Sequence, residues 1–360
     1  MELYKDAYFG KSFMMIGDSL PHCFNCSYCR ANDNNTYHFH KLPTELNPLF
    51  NSIPVAVNLF YGDPMLQVNN TLSTLDRLEE AGHKGPVLIV TKGNLKRFPK
   101  NKRYSLDLHF GLSTFGCNSV YDGGSLEMFE SNLAYAQELG YKYSIEFRPI
   151  IKDINSHPVI INNIKELAKK YNTGIAYSGL QVSDDLKKRL EKENINFEPF
   201  DNHQFGLKKY VGKDVQNVFN NNEDETYPIF KKTSCLITWI HNLNRDPNAH
   251  YYRPNEVGCS HCPMKERCMK YKQELPDTLN IEIPFDYKIV DKADHICSLY
   301  KSGSCKFPSY DCMHIKGKLI KIDEPLTTTD VRLIKWLTGF TVDAIFTESP
   351  YISEKWVVNN

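Results

Sequence analysis

Three cysteines lie close together in the stretch GDSLPHCFNCSYCRAN, residues 17–32. Cys23, Cys26 and Cys29 are each separated by two residues, and thiolates at this spacing are typical ligands of metal ions and iron–sulfur clusters. An iron–sulfur cube has four irons, and ferredoxin-type loops supply a fourth cysteine at the position that Asp33 occupies here. A cube held by three cysteines therefore keeps one iron open to a small molecule.

Zinc and disulfides are the alternatives for these thiols. A structural zinc ion needs four ligands, and His22 or His38 could supply the fourth. Disulfides belong to oxidising compartments, but the first residues, MELYKDAYFG, lack the basic start and apolar run of a signal peptide. No stretch approaches the roughly 20 apolar residues of a membrane span. We therefore expect a cytoplasmic protein without a membrane partner, whose eleven cysteines serve metal binding or redox chemistry.

The composition is that of an ordinary globular protein. Of its 360 residues, 41% are hydrophobic and 24% are charged, and the mean hydropathy is −0.46. The 43 basic residues equal the 43 acidic ones, so the chain has no overall field that would attract nucleic acid or an anionic membrane. A chain of this length is expected to form two or three structural units.

The first 200 residues alternate between apolar runs and amphipathic segments. Helices are predicted over 67–82, 125–140 and 157–172, the second with Ser125 as its N-cap and Gly140 as its stop. Six buried strands are predicted by the runs SFMMIG (12–17), VAVNLFYG (55–62), PVLIVT (86–91), LHFGLST (108–114), YSIEFRPII (143–151) and GIAYSGL (174–180). This alternation implies a parallel sheet, as a doubly wound fold or a partial barrel, with its chemistry at the carboxyl ends of the strands.

The remaining residues differ in their cysteine content and in their hydrophobic periodicity. Residues 230–315 hold most of the other cysteines with little periodicity, which favours a small fold stabilised by metal. The segment LTTTDVRLIKWLTGF (326–340) predicts a capped helix that ends at Gly339. We therefore divide the chain into 1–205, 206–315 and 316–360: the alternating part, the cysteine-rich part and a mixed extension.

These features resemble the radical S-adenosylmethionine (SAM) superfamily over roughly residues 12–200. The three-cysteine loop follows the first strand, with Tyr28 before its last cysteine, although the usual first gap is three residues rather than two. YGDP (61–64) resembles the glycine-rich motif of that family at the second strand, TKG (91–93) closes the third strand, and EFRPII (146–151) closes the fifth. The resemblance implies an α/β fold of the partial (β/α)6 TIM-like type, a SAM-binding [4Fe–4S] cluster on Cys23, Cys26 and Cys29, and reductive cleavage of SAM to a 5′-deoxyadenosyl radical.

The resemblance also implies roles for individual residues. The backbone of Tyr61, Gly62 and Asp63, next to Pro64, would accept the methionine ammonium, since a glycine lets the main chain approach closely. Further candidates for SAM contacts are Lys92 for the carboxylate, Ser113 for the ribose or carboxylate, and Glu146 with Arg148, which are two apart on one strand face. The alternatives are solvated side chains for Lys92 and Ser113, and an ion pair inside the barrel for Glu146 and Arg148.

A second cysteine group, GCSHCPMKERC, contains Cys259, Cys262 and Cys268. It is similar in part to the auxiliary-cluster region of SPASM and twitch radical SAM enzymes, whose pattern continues with a cysteine where this chain has Lys272. We expect a second [4Fe–4S] cluster, with zinc bound through His261 as the alternative. Cys117 is predicted to be a buried, unreactive thiol. The candidates for a fourth ligand are Cys235, Cys297, Cys305 and Cys312.

The resemblance leaves two substrate classes open. Enzymes with auxiliary clusters commonly modify peptide or protein side chains, whereas the run from TKG to EFRPII also resembles the spore photoproduct lyase branch, whose known member repairs DNA. The charge balance argues against tight nucleic-acid binding, because phosphate contacts need clustered Lys and Arg. Such an enzyme needs an electron donor such as flavodoxin or ferredoxin. The non-enzymatic alternative is an iron–sulfur or zinc scaffold protein.

Overall fold

A computed structural model gives the structure of the chain over most of its length. The described residues include Cys26 but neither Cys23 nor Cys29, so the three-cysteine loop is represented by its middle member. The residues that the structure describes are 8–9, 13–16, 26, 51–57, 62–101, 103–118, 121, 123–180, 184–192, 211–220, 227–247, 259, 262–291, 318–347 and 353–356.

The largest sheet of the described residues has eight strands, ordered in space as they are in sequence. Strands β2 to β8 are all parallel, and β1 pairs antiparallel with β2 at one edge. Their bounds are β1 (Tyr8–Phe9), β2 (Met14–Ile16), β3 (Val55–Val57), β4 (Val87–Thr91), β5 (Leu108–Thr114), β6 (Lys142–Ile150), β7 (Ile175–Gly179) and β8 (Ile229–Phe230).

This strand order distinguishes between the two predicted architectures. A doubly wound sheet reverses its strand order at a switch point, whereas the order from β2 to β8 runs in one direction without a reversal. Sequential parallel strands joined by helices are the arrangement of a barrel, here left open. The predicted partial TIM-like barrel is therefore confirmed, with its six predicted strands as β2 to β7. Strands β1 and β8 were not predicted.

Helices follow most of the parallel strands. Helix α2 has its predicted caps: Ser125 Oγ accepts from the Met128 amide at 3.1 Å, and Gly140 ends the helix with a φ of 75°. The helices of the described residues are α1 (Val68–Glu80), α2 (Leu126–Leu139), α3 (Pro158–Lys170), α4 (Asp184–Lys192), α5 (Lys213–Asn220), α6 (Thr233–Ile240), α7 (Lys265–Gln273) and α8 (Thr328–Thr338). None of the helices in the described ranges is long and apolar enough to cross a bilayer.

The two faces of the sheet bury different partners. Side chains alternate along a strand, and residues such as Val55, Ile89 and Phe110 share one large apolar cluster with helices α1, α2 and α3. The alternate residues, such as Ala56 and Leu88, instead contact Ile237 of helix α6. Helix α6 therefore lies on the inner face of the sheet, opposite to the three crossover helices.

Small residues on the inner face make room for helix α6. Ala176 of β7 packs with Leu236 of α6 and with Met264. At Gly174, directly before β7, a Cβ atom would lie 2.4 Å from Leu236 Cδ1, so a larger residue would displace the helix. Helix α6 thus fills part of the barrel interior.

Two small sheets complete the described part. In one, β10 (Lys318–Lys321) pairs with β9 (Lys288–Asp291) and β12 (Thr341–Asp343); in the other, β11 (Leu326–Thr327) pairs with β13 (Phe346–Thr347). Helix α8 begins with a capping box between Thr327 and Asp330 and ends at Gly339, as predicted. Its buried apolar residues belong to the same apolar cluster as the outer face of the large sheet. The domain limits drawn from the sequence remain a prediction.

Candidate functional site

Two of the predicted site stretches meet at the carboxyl ends of the strands. Lys92 directly follows β4, and its Nζ donates to Cys26 Sγ at 3.7 Å. The two residues are 66 positions apart in sequence. Of the other predicted residues near this edge, Cys23, Tyr28, Cys29 and Tyr61 lie outside the described residues.

Asp63 of the YGDP stretch ties the loop after β3 to the loop after β4. Its Oδ1 accepts from the Met65 amide at 2.9 Å and from the Thr91 hydroxyl. Its Oδ2 accepts from the amides of Lys92 at 2.7 Å and Gly93 at 3.2 Å. An ionised carboxylate has about four lone-pair positions, so these four donors satisfy it. The buried Asp63 side chain therefore positions the TKG stretch.

The backbone of the same stretch is partly engaged as well. The Asp63 carbonyl accepts from two amides of the following turn, at 3.0 Å from Leu66 and 3.2 Å from Gln67. The Pro64 carbonyl accepts from Thr71 Oγ1 at 2.9 Å. Of the predicted ammonium-binding carbonyls, that of Asp63 is thus bonded within the chain. The Gly62 carbonyl is the described candidate that remains for a ligand.

A residue that the sequence analysis did not single out fixes the loop after β4 from the other side. Asn132 of helix α2 is buried, and its Oδ1 accepts from the Leu95 amide at 2.8 Å while its Nδ2 donates to the Gly93 carbonyl at 2.8 Å. A Cβ atom on Gly93 would lie 2.7 Å from Asp63 Oδ1 and 2.8 Å from Met65 Cβ, so only glycine fits. The signal available in the sequence was an asparagine within the apolar stripe of the helix predicted over 125–140.

Ser113 and Lys92 share a small recess at the ends of β4 and β5. Cys117 also lines this recess and is half-buried, so the prediction of a buried thiol is wrong. The reason is that Cys117 lies three residues beyond the end of β5 at Thr114, after Gly116, whose φ of 80° interrupts the extended backbone.

Glu146 and Arg148 form an ion pair on one face of β6. Arg148 Nη2 lies 3.3 Å from Glu146 Oε2, and the Glu146 side chain is fully buried. Thr233, the first residue of helix α6, donates to Glu146 Oε2 at 2.9 Å and accepts from Arg148 Nη1 at 3.2 Å. The ion pair was one of the two interpretations of the sequence, and Thr233 was not foreseen. A contact of this pair with SAM remains a prediction.

Cys235 on helix α6 lies near the second cysteine group. Burial and then the Asp246 carboxylate raise the pKa of the Cys235 thiol well above its ordinary value, and Cys262 and Cys268 raise it further. Burial raises the pKa of Cys262 to about 11, with a contribution from Cys259. Burial, followed by Cys262 and Asp246, raises the pKa of Cys268 to about 12. Four thiols therefore act on one another electrostatically.

This thiol group has the chemistry of a soft-metal site. Thiolates select zinc, copper(I) and iron–sulfur clusters, and a bound cation would relieve the repulsion between neighbouring thiolates, which adds to the larger effect of burial on these pKa values. Among the described residues, no three His, Cys, Asp or Glu side chains are arranged to hold a single ion. His261, Cys297, Cys305 and Cys312 lie outside the described residues.

A buried polar chain at the amino ends of β5 and β6 was also not predicted. His109 Nε2 lies 2.7 Å from Ser144 Oγ, and His109 Nδ1 lies 3.2 Å from His241 Nε2. His241 Nδ1 lies 2.6 Å from Asp107 Oδ2, and Lys142 Nζ donates to Asp107 Oδ1 at 2.8 Å. Burial alone would raise the pKa of Asp107, but hydrogen bonds from His241 and Lys142 lower it to about 2.

The ionised Asp107 sets the direction of this chain. His241 Nδ1–H donates to Asp107, which leaves His241 Nε2 to accept from His109 Nδ1–H and His109 Nε2 to accept from the Ser144 hydroxyl. Both histidines are then neutral. Burial lowers the pKa of His109 well below its ordinary value, with the charges of His241 and Lys142 adding to the effect. Burial also lowers the pKa of His241, against the opposing Asp107.

We expect the free energy of unfolding to fall as the pH is lowered through about 6.5. The folded pKa values of His109 and His241 lie below the ordinary value, so in this range the unfolded chain binds protons that the folded chain does not. Each fully shifted histidine removes about 1.4 kcal/mol between pH 7.5 and 5.5. Urea unfolding at these two pH values, in one metal-loading state, measures the loss. If the free energy of unfolding does not change over this range, the assignment of two neutral histidines in the folded protein is contradicted.

Some solved structures are similar to part of the chain. No protein-family model matches the chain, and a search of curated proteins returns no match. Similar solved structures include SuiB from Streptococcus suis bound to S-adenosylmethionine, at 14% identity, over 64% of this chain and 53% of SuiB, with a TM-score of 0.38. A radical SAM methyltransferase from Sphaerobacter thermophilus is similar at 12% identity, over 51% of this chain and 64% of that enzyme, with a TM-score of 0.35.

A third similar structure is native anSMEcpe with bound AdoMet, at 14% identity, over 63% of this chain and 66% of that chain, with a TM-score of 0.39. The chain thus spans about half the length of SuiB, at 53%. At such identities and TM-scores, the chemistry of this chain has to be inferred from its own residues.

Proposed function

We propose that this protein is a radical SAM enzyme that abstracts a hydrogen atom from a peptide or protein side chain. The observation that carries the proposal is the contact of Lys92 with Cys26, 3.7 Å apart, in a loop that Asp63 of YGDP holds in place. A scaffold protein has no need for the cysteine loop, YGDP and TKG to converge on one edge of a barrel. An enzyme that binds a nucleotide beside a cluster does need this convergence.

The residues at this edge have separate tasks in the proposal. Cys23, Cys26 and Cys29 hold a [4Fe–4S] cluster, which when bound supplies an open iron for SAM and the electron that splits it into methionine and a 5′-deoxyadenosyl radical. The Gly62 carbonyl accepts from the SAM ammonium, because glycine allows the backbone to approach the ligand. Ser113, in the recess beside Lys92, binds the ribose or the carboxylate. The inner face of the barrel excludes water from the radical.

Cys235, Cys259, Cys262 and Cys268 hold a second [4Fe–4S] cluster in this proposal. Of the four candidates for the fourth ligand, Cys235 is favoured because its thiol interacts electrostatically with Cys262 and Cys268. The same helix carries Thr233, which bonds to Glu146 and Arg148 of the barrel, so the second cluster lies next to the barrel interior. A peptide or protein substrate fits a chain whose basic and acidic residues balance at 43 each better than a nucleic acid does.

The test is SAM cleavage by the full chain, reconstituted with iron and sulfide under anaerobic conditions and reduced with dithionite. We expect methionine and 5′-deoxyadenosine from the native protein and neither from Cys26→Ala. Cys117→Ala removes a thiol outside both cysteine groups and is the control for iron content, which should stay at the native value. If the native protein holds iron but leaves SAM intact, the scaffold alternative is correct. If the native protein does cleave SAM, flavodoxin or ferredoxin can replace dithionite to identify the electron donor.

A further inference from the structure

The contact between Lys92 and Cys26 places a positive charge directly beside a cluster ligand. Lys92 Nζ lies 3.7 Å from Cys26 Sγ, and the Lys92 side chain is partly buried. N–H···S distances exceed N–H···O distances because sulfur is the larger acceptor, so this contact is a hydrogen bond assisted by the ammonium charge. A lysine that only served solubility would extend into solvent instead.

The backbone around Lys92 is held from two sides, which fixes where its side chain begins. The Lys92 amide donates to Asp63 Oδ2 at 2.7 Å, and Asn132 bonds to the Gly93 carbonyl at 2.8 Å. Lys92 also continues the alternation of Leu88 and Val90, whose side chains belong to the inner face of the sheet. The ammonium is therefore directed toward the interior of the barrel by the fold itself.

A charge in this position changes the energetics of reduction. The reduction potential of an iron–sulfur cluster depends on its net charge and on the hydrogen bonds to its sulfurs. Reduction adds one negative charge, and a nearby ammonium stabilises the reduced form more than the oxidised form. Partial burial reduces solvent screening and strengthens this effect.

We infer that Lys92 raises the reduction potential of the cluster that Cys26 ligates and so brings it within reach of a one-electron donor. This inference rests on the proposed function and deepens it, since it assigns to Lys92 a role in reduction rather than in SAM binding. In this role Lys92 acts through Cys26: it places a positive charge beside the cluster and does not contact the reacting atoms.

The experiment measures the midpoint potential of the cluster in the full chain by a redox titration followed by electron paramagnetic resonance. The relevant cluster is identified as the one whose signal changes when SAM is added. For Lys92→Met, we expect the ratio of reduced to oxidised cluster at a fixed potential to fall about tenfold, which corresponds to about 59 mV for a one-electron couple. Lys92→Arg keeps the charge and should stay close to the native value.

Lys96→Met is the matched control, because Lys96 is exposed four residues further along the chain. Its midpoint potential should equal that of the native protein. If Lys92→Met does not hold iron, Lys92→Gln is titrated in its place with the same expected direction. An unchanged midpoint potential in the neutral variant would overturn the inference. Weaker SAM binding in that same variant would then make Lys92 a ligand of the SAM carboxylate. A native protein whose cluster does not respond to SAM would instead overturn the proposed function.

Discussion

Replacing Asp63 by alanine is expected to reduce SAM cleavage by at least about 100-fold, the loss that follows from displacing reacting groups by about 1 Å. The substitution leaves the amides of Lys92 and Gly93 and the hydroxyl of Thr91 without their common acceptor in a buried place. Hydrogen bonds to charged groups contribute about 1.5–3 kcal/mol each, so the loop after β4 should also lose its fixed conformation. Cleavage rate and SAM affinity are measured on reconstituted protein of equal iron content.

Two further variants separate the role of Asp63 from a general effect of losing a carboxylate. Asp63→Asn retains one acceptor oxygen but turns an NH2 group toward donors, so we expect a loss close to that of the alanine variant. Asp76→Asn is the control: Asp76 lies on helix α1 and accepts from the Tyr104 hydroxyl at 3.0 Å. This variant should retain native cleavage. Normal cleavage in Asp63→Ala would contradict the positioning role of Asp63.

Replacing Cys235 by alanine is expected to remove about half of the iron bound by the native protein. The variant deprives the second thiol group of one of its four members, while Cys26 is unchanged. Iron and sulfide are quantified after anaerobic reconstitution, and SAM cleavage by the remaining cluster is assayed in the same samples. Residual cleavage with half the iron would distinguish loss of the second cluster from general unfolding.

The outcome of Cys235→Ala also decides the fourth ligand. Cys117→Ala, a cysteine outside both groups, should bind as much iron as the native protein. If Cys235→Ala also binds the native amount, then Cys297, Cys305 or Cys312 becomes the candidate, or the second cluster is absent. A combined Cys259→Ala and Cys262→Ala variant separates these outcomes, because it retains full iron only if there is no second cluster.

Much of the fold could be predicted because its signals are local. The strands β2 to β7 are apolar runs, several of them followed by a helix, and helix α2 begins and ends at residues with typical capping roles, Ser125 and Gly140. Strands β1 and β8 have two residues each, which is too short for a periodic pattern. Helix α6 has the sequence TSCLITWI, in which five residues are apolar or aromatic, so its pattern does not distinguish a helix from a strand. Its position depends on distant small residues, such as Ala56 and Ala176.

Several residues of the candidate site could be predicted from the sequence, but most of the hydrogen bonds between them could not. The order of the strands was enough to bring Lys92 and Cys26 to one edge. The use of the Asp63 carboxylate depended on donors 28 to 30 residues away, which no local pattern reports. Asn132, Thr233 and His241 were missed for the same reason, because each is a polar residue whose partners come from another element. Pairing of such residues is set by packing rather than by spacing.

Helix α6 limits how the chain can be divided for expression. A truncated chain that ends before residue 233 would expose Ala56, Leu88 and Ala176 on the inner face to water and would leave the buried Glu146 without its threonine partner. The barrel is therefore not a detachable module, even though its last strand, β8, ends at Phe230. Any shortened version that is to stay folded has to retain the segment carrying Thr233 through His241.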